Sequence, residues 1–360
     1  MHPLSPHFET FAGFAKPAVD FVSGRGYRYC AAKGCGGFVC CFFEGVFALI
    51  KEREKEGAMR KREKRAEREG LLFLLPWLIG FACFSLYPIL MSAYYSLTDF
   101  SAVKAPVFVG MRNYTSLFHD KLFWKSIQNT LYYTALFVPV SISLSLLLAL
   151  LLKPLRIGKG FFRSVFFLPS IFPAVASTMV WIIILDPLSG YLNRFLKLFG
   201  IPGVNWLGDP KAAIPALVLM SSWGIGATIV ILLAAMGDIP AELYEAASLD
   251  GAGMWRQFCY VTIPGIAHVL LYQIVLSIIN ATQYFTQVYI LCSAQSGNLS
   301  SGAEAGRGNS LLMYPLYLFQ NAFSRLKMGT ASAMAWILFL AVLLFSVAFT
   351  RIGGRFVDEK

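Results

Sequence analysis

The stretch TLYYTALFVPVSISLSLLLALLL, from Thr130 to Leu152, contains no charged side chain. A helix rises about 1.5 Å per residue and needs about 20 apolar residues to cross about 30 Å of hydrocarbon. Inside lipid, a helix satisfies every backbone donor and acceptor within one segment, and this stretch lacks the alternation of a barrel strand. It is therefore predicted to be a membrane-spanning helix.

Five further runs of this kind lie along the chain. The six predicted spans are Leu71–Tyr95, Thr130–Leu152, Phe162–Leu185, Ile214–Met236, Ile266–Cys292 and Met328–Thr350. Hydrophobic residues make up 57% of the 360 residues and the mean hydropathy is +0.60, more apolar surface than one soluble core can bury. The predicted fold class is all-α, a polytopic transmembrane bundle of six helices.

Lys and Arg residues are concentrated on one side of the predicted spans. Nine of them lie in the segment Lys51–Arg68, immediately before the first span. Six crossings return the C-terminus to the same side, whose segments then carry 17 Lys and Arg against ten in the opposite loops. Because Lys and Arg favour the cytoplasmic side, both termini are predicted to be cytoplasmic in a multi-pass protein of the bacterial plasma (inner) membrane.

The net charge of +11 does not indicate a nucleic-acid partner. The basic residues lie between apolar runs and do not form one patch interleaved with aromatic residues. Membrane lipid is the predicted environment.

The chain divides into four predicted regions. Residues 1–58 are a leader that is disordered or not translated, with Met59 as an alternative start. Residues 59–70 form a basic cytoplasmic segment, 71–350 the transmembrane domain and 351–360 a cytoplasmic tail. The leader holds a cysteine cluster without the paired spacing of a zinc site, so no metal is expected; its members are Cys30, Cys35, Cys40 and Cys41.

The segment DIPAELYEAASLDGAGMWRQFCYVTIP, residues 238–264, connects predicted spans four and five. Pro240 suits the first turn of a helix, and Glu242 places negative charge near the positive end of the helix dipole. Gly251 can adopt the left-handed conformation that ends a helix. The segment is predicted to be a compact helix-turn-helix at the membrane surface, and it is called the coupling loop below.

The coupling loop resembles the EAA loop of importer permeases in the ABC superfamily. The resemblance rests on the spacing of Glu-Ala-Ala, Asp-Gly and Ile-Pro, and it implies an ATPase-coupling role for Glu245, Ala246, Ala247, Asp250, Gly251 and Pro264. The small Ala side chains permit close helix approach, and the carboxylate offers a charge-assisted contact.

Other stretches are similar to the carbohydrate-uptake branch, in particular to its first permease of the maltose or glycerol-phosphate type. They include FFRSVFFLPSIFPAV at 161–175 and GYLNRFLKLFGIPGVNWLGDP at 190–210. The resemblance implies the MetI-like permease fold, a second homologous permease in a heterodimer, two ATP-binding subunits and an extracytoplasmic solute-binding protein. The implied solute is a sugar or oligosaccharide, with glycerol phosphate as an alternative.

Predicted span five carries five polar side chains at intervals of three or four residues, which places them on one face of a helix. They are Gln273, Ser277, Asn280, Tyr284 and Gln287. One interpretation is a stripe that recognises the hydroxyl groups of a small polar solute, because amides both donate and accept hydrogen bonds. The other is polar contact between neighbouring helices.

Catalysis is not expected in this chain. The sequence has no Gly-x-x-x-x-Gly-Lys-Ser/Thr phosphate loop, so ATP must be bound by a partner subunit and no cofactor is predicted. The alternative function is an ion-coupled secondary transporter. Such carriers usually hold an ionisable residue inside their spans, and no Asp, Glu, Lys or Arg lies well inside the six runs, which favours the ATP-driven permease.

Overall fold

The computed structural model describes residues 73–155, 157–296 and 305–358. The predicted leader and basic segment lie outside these residues. The chain forms two compact units, Met1–Tyr87 and Pro88–Lys360. The described part of the first unit is helical, includes one π-helical turn at Ala82–Leu86, and stacks the rings of Trp77 and Phe81 at 5.6 Å.

Fourteen α-helical segments and two strands are labelled here in chain order. They are α1 (Phe73–Ser96), β1 (Thr98–Ser101), β2 (Lys104–Phe108), α2 (Arg112–Phe118), α3 (Lys121–Leu152), α4 (Lys159–Ile171), α5 (Ala174–Ile184), α6 (Tyr191–Leu198), α7 (Ala213–Ser222), α8 (Gly226–Gly237), α9 (Ala241–Leu249), α10 (Met254–Gln257), α11 (Ala267–Thr282), α12 (Thr286–Ser296), α13 (Tyr314–Phe319) and α14 (Met328–Asp358). Short π-helical turns follow α10 at Phe258–Thr262 and α13 at Gln320–Ser324.

Four stretches are long and apolar enough to cross a membrane: α1, α3, α11 together with α12, and α14. Two further pairs, α4 with α5 and α7 with α8, meet the same test together but are bent. The described residues thus contain six candidate spans if each bent pair is one span. This agrees with the predicted helical bundle.

Predicted span three is not one straight helix. Its two halves, α4 and α5, meet at an angle of 96°. The break lies at Phe172 and Pro173. Phe172 has the extended conformation, with φ −63° and ψ 137°, because the ring of a following proline disfavours the helical region. Pro173 also lacks the backbone donor that would extend the hydrogen bonds of α4, and the helix ends here.

Spans four and five also differ from continuous helices. Helices α7 and α8 meet at 53° across residues 223–225, which include Gly224. Predicted span five is interrupted at residues 283–285, between α11 and α12. By contrast, Pro139 lies inside α3, which stays helical for 32 residues.

The first connection contains a small β-hairpin, which the all-α prediction did not include. Strands β1 and β2 are antiparallel, with Thr98 opposite Phe108 and Ser101 opposite Lys104. The Asn113 side chain donates to the carbonyls of Ser96 and Thr98, both at 2.8 Å, and so ties α2 to the start of the hairpin. The fold class remains helical.

Helix α3 lies at the centre of the second unit, where it packs against α7, α8 and α11. One apolar cluster surrounds its first half and includes Phe123, Tyr133 and Leu217. A second surrounds its last turns and includes Leu152 and Met236. The clusters fix the ends of α8 and α11, between which the coupling loop lies.

Candidate functional site

The first half of the coupling loop is the helix α9, with Pro240 at its N-cap and Asp250 at its C-cap. Gly251 follows with φ +74°, the left-handed conformation. The amide of Ala252 donates to the carbonyl of Ala247 at 2.9 Å, which is the Schellman pattern of a helix end. The predicted bounds of this helix and the role of the glycine in ending it are confirmed.

The second half of the coupling loop returns toward the bundle through α10, the π-helical turn and a last helical turn at Ile263–Gly265. The Gln257 side chain donates to the Ser248 hydroxyl at 2.9 Å, which links the two halves. At the ends of the loop, the Ile239 side chain lies where a Cβ on Gly265 would point. The loop is therefore closed on itself as a helix-turn-helix.

Tyr244 connects the coupling loop to the bundle. Its hydroxyl and that of Thr262 are 3.0 Å apart, and Thr262 is buried. The Lys153 ammonium lies 3.9 Å from the centroid of the Tyr244 ring, at the end of α3. A cation over an aromatic face is attracted by the ring quadrupole. The inner side of α9 is thus held by contacts at two points.

The outer side of α9 carries the predicted coupling residues. Glu245, Ala246, Asp250 and Gly251 are exposed, whereas Ala247 and Pro264 are half-buried. Three large apolar side chains next to them are also exposed, namely Leu249, Met254 and Trp255, at 90%, 88% and 74%. Sequence reasoning did not single these out as an exposed group, although large apolar residues in a polar surface loop are a usable signal.

The polar residues of span five do not form one continuous helix face. Gln273, Ser277 and Asn280 lie on α11, Gln287 lies on α12, and Tyr284 lies in the break between the two helices. Gln273 is buried and Asn280 is exposed. Helix geometry is interrupted between Asn280 and Gln287, so the spacing of three and four residues does not place all five side chains on one regular helical face.

Tyr284 belongs to a three-residue hydroxyl cluster inside the bundle, which the sequence did not predict. The Tyr133 hydroxyl donates to Ser221 Oγ at 2.8 Å, and Ser221 Oγ lies 2.8 Å from the Tyr284 hydroxyl. The rings of Tyr133 and Tyr284 stack with centroids 4.9 Å apart. The cluster joins α3, α7 and the break in span five. For Tyr284 it favours the helix-contact interpretation.

A second polar cluster lies at the start of α3. The Tyr317 hydroxyl donates to the Asp120 carboxylate and accepts from Arg325 Nη1 at 3.1 Å. Asp120 also caps α3 by accepting from the Leu122 amide at 2.9 Å. Burial raises the pKa of the Tyr317 hydroxyl, and its hydrogen bond to Asp120 raises that pKa further. These contacts fix the segment after α13 to the start of α3.

The connection after α5 is organised by hydrogen bonds to Asp186 and Asn193. Asp186 accepts hydrogen bonds from the Ser189 amide at 2.7 Å and the Ser189 hydroxyl at 2.8 Å, and these bonds lower the pKa of its carboxyl. Asn193 is buried and accepts from the Val204 amide and the Trp206 indole. Both residues therefore shape the connection. Across the whole described part of the chain, no group of three or more potential metal ligands is present.

Comparison with known proteins covers most of the chain. Residues 141–358 match the model of the family "Binding-protein-dependent transport system inner membrane component". The probable ABC transporter permease protein YesP of Bacillus subtilis is 32% identical over 311 residues, which covers 84% of this chain and 97% of YesP. The trehalose/maltose transport system permease protein MalF of Thermococcus litoralis is 30% identical over 295 residues, covering 81% and 96%.

Among solved structures, a chain of a bacterial alginate ABC transporter, in complex with an alginate pentasaccharide-bound periplasmic protein, superimposes with a TM-score of 0.69. It is 20% identical, and the match covers 82% of this chain and 97% of that one. At this identity the likeness shows a shared fold. The family match and the relatives confirm the resemblance to ABC importer permeases and decide against the ion-coupled carrier. The chain belongs to the inner membrane components of binding-protein-dependent transport systems and is an ABC-type importer permease without an ATPase site of its own.

Proposed function

We propose that this chain forms half of a transmembrane pathway for a sugar or oligosaccharide, and that a separate ATPase drives it through the coupling loop. The single observation that carries the proposal is the two-sided geometry of α9. Its inner side is fixed to the bundle through the Tyr244 ring, which lies against Lys153 at the end of α3, while Glu245 and its neighbours face outward without an ion pair among the described residues.

The exposed side of α9 suits a groove on a partner protein. Glu245 offers a carboxylate for a charge-assisted contact, and Ala246 lets the helix backbone approach closely. Leu249, Met254 and Trp255 add apolar surface around them. This combination of an apolar anchor and a few directed polar groups is the usual composition of a helix-in-groove contact.

Movement of α9 has a direct physical route into the spans. The Tyr244 ring reaches the end of α3 through Lys153, and its hydroxyl bonds Thr262, in the part of the coupling loop that leads into span five. The next residues of span five are also packed, because Ile266 is buried in the cluster that holds Met236 of α8. A rigid displacement of the loop would therefore shift three helices together, as expected when ATP binding closes a pair of motor subunits.

The proposed solute follows from the pathway residues and from the relatives. Gln273, Ser277, Asn280 and Gln287 are neutral polar groups that can exchange hydrogen bonds with hydroxyls. The similar MalF is named for trehalose and maltose, and the alginate transporter of similar fold is named for a carbohydrate and forms a complex with a periplasmic protein that holds an alginate pentasaccharide. An uncharged pathway and carbohydrate relatives both support a sugar as the solute.

The proposed assembly has a second, homologous permease, two ATP-binding subunits and an extracytoplasmic solute-binding protein. Both termini lie in the cytoplasm, since the dense basic block Lys51–Arg68 precedes the first span. This orientation places the coupling loop on the ATPase side of the membrane.

The test compares two carboxylates of α9 in the assembled, reconstituted transporter. Glu245→Gln is expected to reduce ATP hydrolysis stimulated by the solute-loaded binding protein about tenfold, because one charge-assisted contact is lost. Glu242→Gln is the matched control, since Glu242 is also exposed but lies one turn earlier, and it is expected to retain activity. Equal activity in Glu245→Gln and the unmodified protein would remove the loop from the coupling mechanism.

A further inference from the structure

Helices α4 and α8 approach most closely at Gly226. A Cβ at this position would overlap the carbonyl oxygen of Phe166, so only glycine permits the contact. From this crossing the two helices run in opposite directions. Beyond it, toward the start of α4 and the end of α8, they leave a cavity of about 370 Å³.

The cavity has one basic wall and one apolar wall. Lys159 and Arg163 line it from α4, one helical turn apart and therefore on the same face. Val230, Leu233 and Ala234 line it from α8. Lys159 is half-buried and Arg163 is exposed, and neither forms an ion pair or a side-chain hydrogen bond with a described residue.

The space in the cavity comes from small residues. Gly160 and Gly237 complete its lining, and no heavy atom lies within 4 Å of the place where a Cβ on either would sit. Exposed apolar side chains continue outward from it, including Phe161 at 69% and Ile231 at 41%. The cavity is thus open toward an exposed apolar surface.

We propose that this cavity binds the headgroup of an anionic phospholipid. The Lys159 ammonium and the Arg163 guanidinium hold the phosphate, and the first methylenes of an acyl chain lie along Val230, Leu233 and Ala234. Two cations that have no carboxylate partner among the described residues favour the binding of an anionic ligand. Basic pockets between transmembrane helices are suited to lipid phosphates. The apolar wall favours a lipid over a small soluble anion, which would leave that wall in water.

We place this cavity in the cytoplasmic leaflet of the membrane, and that placement rests on the orientation given in the proposed function. Lipid binding itself does not depend on the orientation. Gly237 is also the residue directly before the coupling loop. A bound lipid would therefore contact the end of α8 at the point where the loop begins.

The test measures thermal unfolding of the purified full-length chain in neutral detergent during titration with phosphatidylglycerol. Lys159→Gln with Arg163→Gln is expected to weaken the apparent lipid affinity by roughly tenfold or more, because each cation near a lipid phosphate contributes about a factor of five. The matched control is Lys121→Gln with Lys125→Gln. These two cations have the same spacing in the first turns of α3 and do not line the cavity, so the lipid affinity should be unchanged.

A second variant, Ala234→Leu, keeps both charges and fills the cavity from an exposed position, and it is also expected to weaken phosphatidylglycerol binding. Stabilisation of the unmodified chain by inorganic phosphate as strong as that by phosphatidylglycerol would overturn the lipid assignment in favour of a soluble anion. Equal stabilisation by phosphatidylcholine, or full phosphatidylglycerol affinity in the double variant, would overturn the site. If the unmodified, assembled transporter imports no sugar while phosphatidylglycerol binding is intact, the proposed function alone would be contradicted.

Discussion

The coupling loop and the interior of the bundle use polar side chains in opposite ways. In the loop, Glu245 is exposed and forms no ion pair with a described residue. In the interior, the hydroxyls of Tyr133, Ser221 and Tyr284 are bonded to one another. In this cluster the interior hydroxyls are satisfied by one another, whereas the Glu245 carboxylate on the loop is open to a partner. Substitutions in the interior should therefore affect stability, and those in the loop should affect coupling.

The largest effect on stability is expected for Gly226→Leu. Its side chain would meet the backbone carbonyl of Phe166, which cannot move without displacing α4. Overpacking of this kind should lower the free energy of unfolding by about 3 kcal/mol. The measurement is the thermal midpoint of the purified chain. Gly237→Ala on the same helix has open space at its Cβ and should leave the midpoint unchanged or slightly higher; an equal loss in both variants would contradict the close approach.

Tyr317→Phe should have the next largest effect on stability. The substitution removes the hydroxyl that donates to Asp120 and accepts from Arg325, and it should lower the free energy of unfolding by about 1 to 2 kcal/mol at pH 7. The pKa of Tyr317 is raised in the folded state. The contribution of its neutral hydroxyl is therefore complete below the unfolded pKa of about 10 and is lost as the pH rises through the folded pKa.

Measured against pH, the difference in thermal midpoint between the unmodified chain and Tyr317→Phe should shrink above about pH 10. Tyr132→Phe is the control, because Tyr132 is exposed on α3. No difference at neutral pH would show that only ring packing, and not the hydroxyl, holds this region, and a difference that stays constant through alkaline pH would contradict the proposed titration of the hydroxyl.

The same contrast explains what sequence alone could predict. The coupling helix was predicted closely because its signals are local: Pro240 at the start, Gly251 at the end and the Glu-Ala-Ala spacing between them. The number of spans was also predictable, since hydrophobic length is a property of each segment.

The breaks and the hydroxyl cluster were not predictable in this way. Pro139 and Pro173 both carry the helix-breaking ring, yet only Pro173 lies at a break, because α3 is surrounded by packed helices along its length. The partnership of Ser221 with Tyr133 and Tyr284 joins residues 88 and 63 positions apart in the chain. Such contacts depend on tertiary packing, which periodicity does not report.

On the loop side of the comparison, Gly251→Ala tests the end of the coupling helix. A residue other than glycine at φ +74° is disfavoured by about 1 kcal/mol, although nothing lies within 4 Å of the added Cβ. We expect a fall in solute-stimulated ATP hydrolysis of the assembled transporter and a thermal midpoint lowered by only about 2 °C. Gly253→Ala is the control, since Gly253 has φ −67° and open space. Similar activity in both variants would show that the left-handed turn is dispensable.

The smallest effect on stability, and the sharpest test of the comparison, is expected within span five. Tyr284→Phe removes one interhelical hydrogen bond in the interior, worth about 0.6 kcal/mol in a membrane bundle, and should leave transport near normal because the stacked ring remains. Asn280→Leu changes an exposed amide and should leave the unfolding midpoint almost unchanged. Its solute-stimulated ATP hydrolysis should fall, because the pathway loses a group that both donates to and accepts from sugar hydroxyls. The reverse result is transport lost in Tyr284→Phe and retained in Asn280→Leu. It would mean that the interior hydroxyl cluster contacts solute, and that the exposure of a residue does not tell whether it serves packing or the solute pathway.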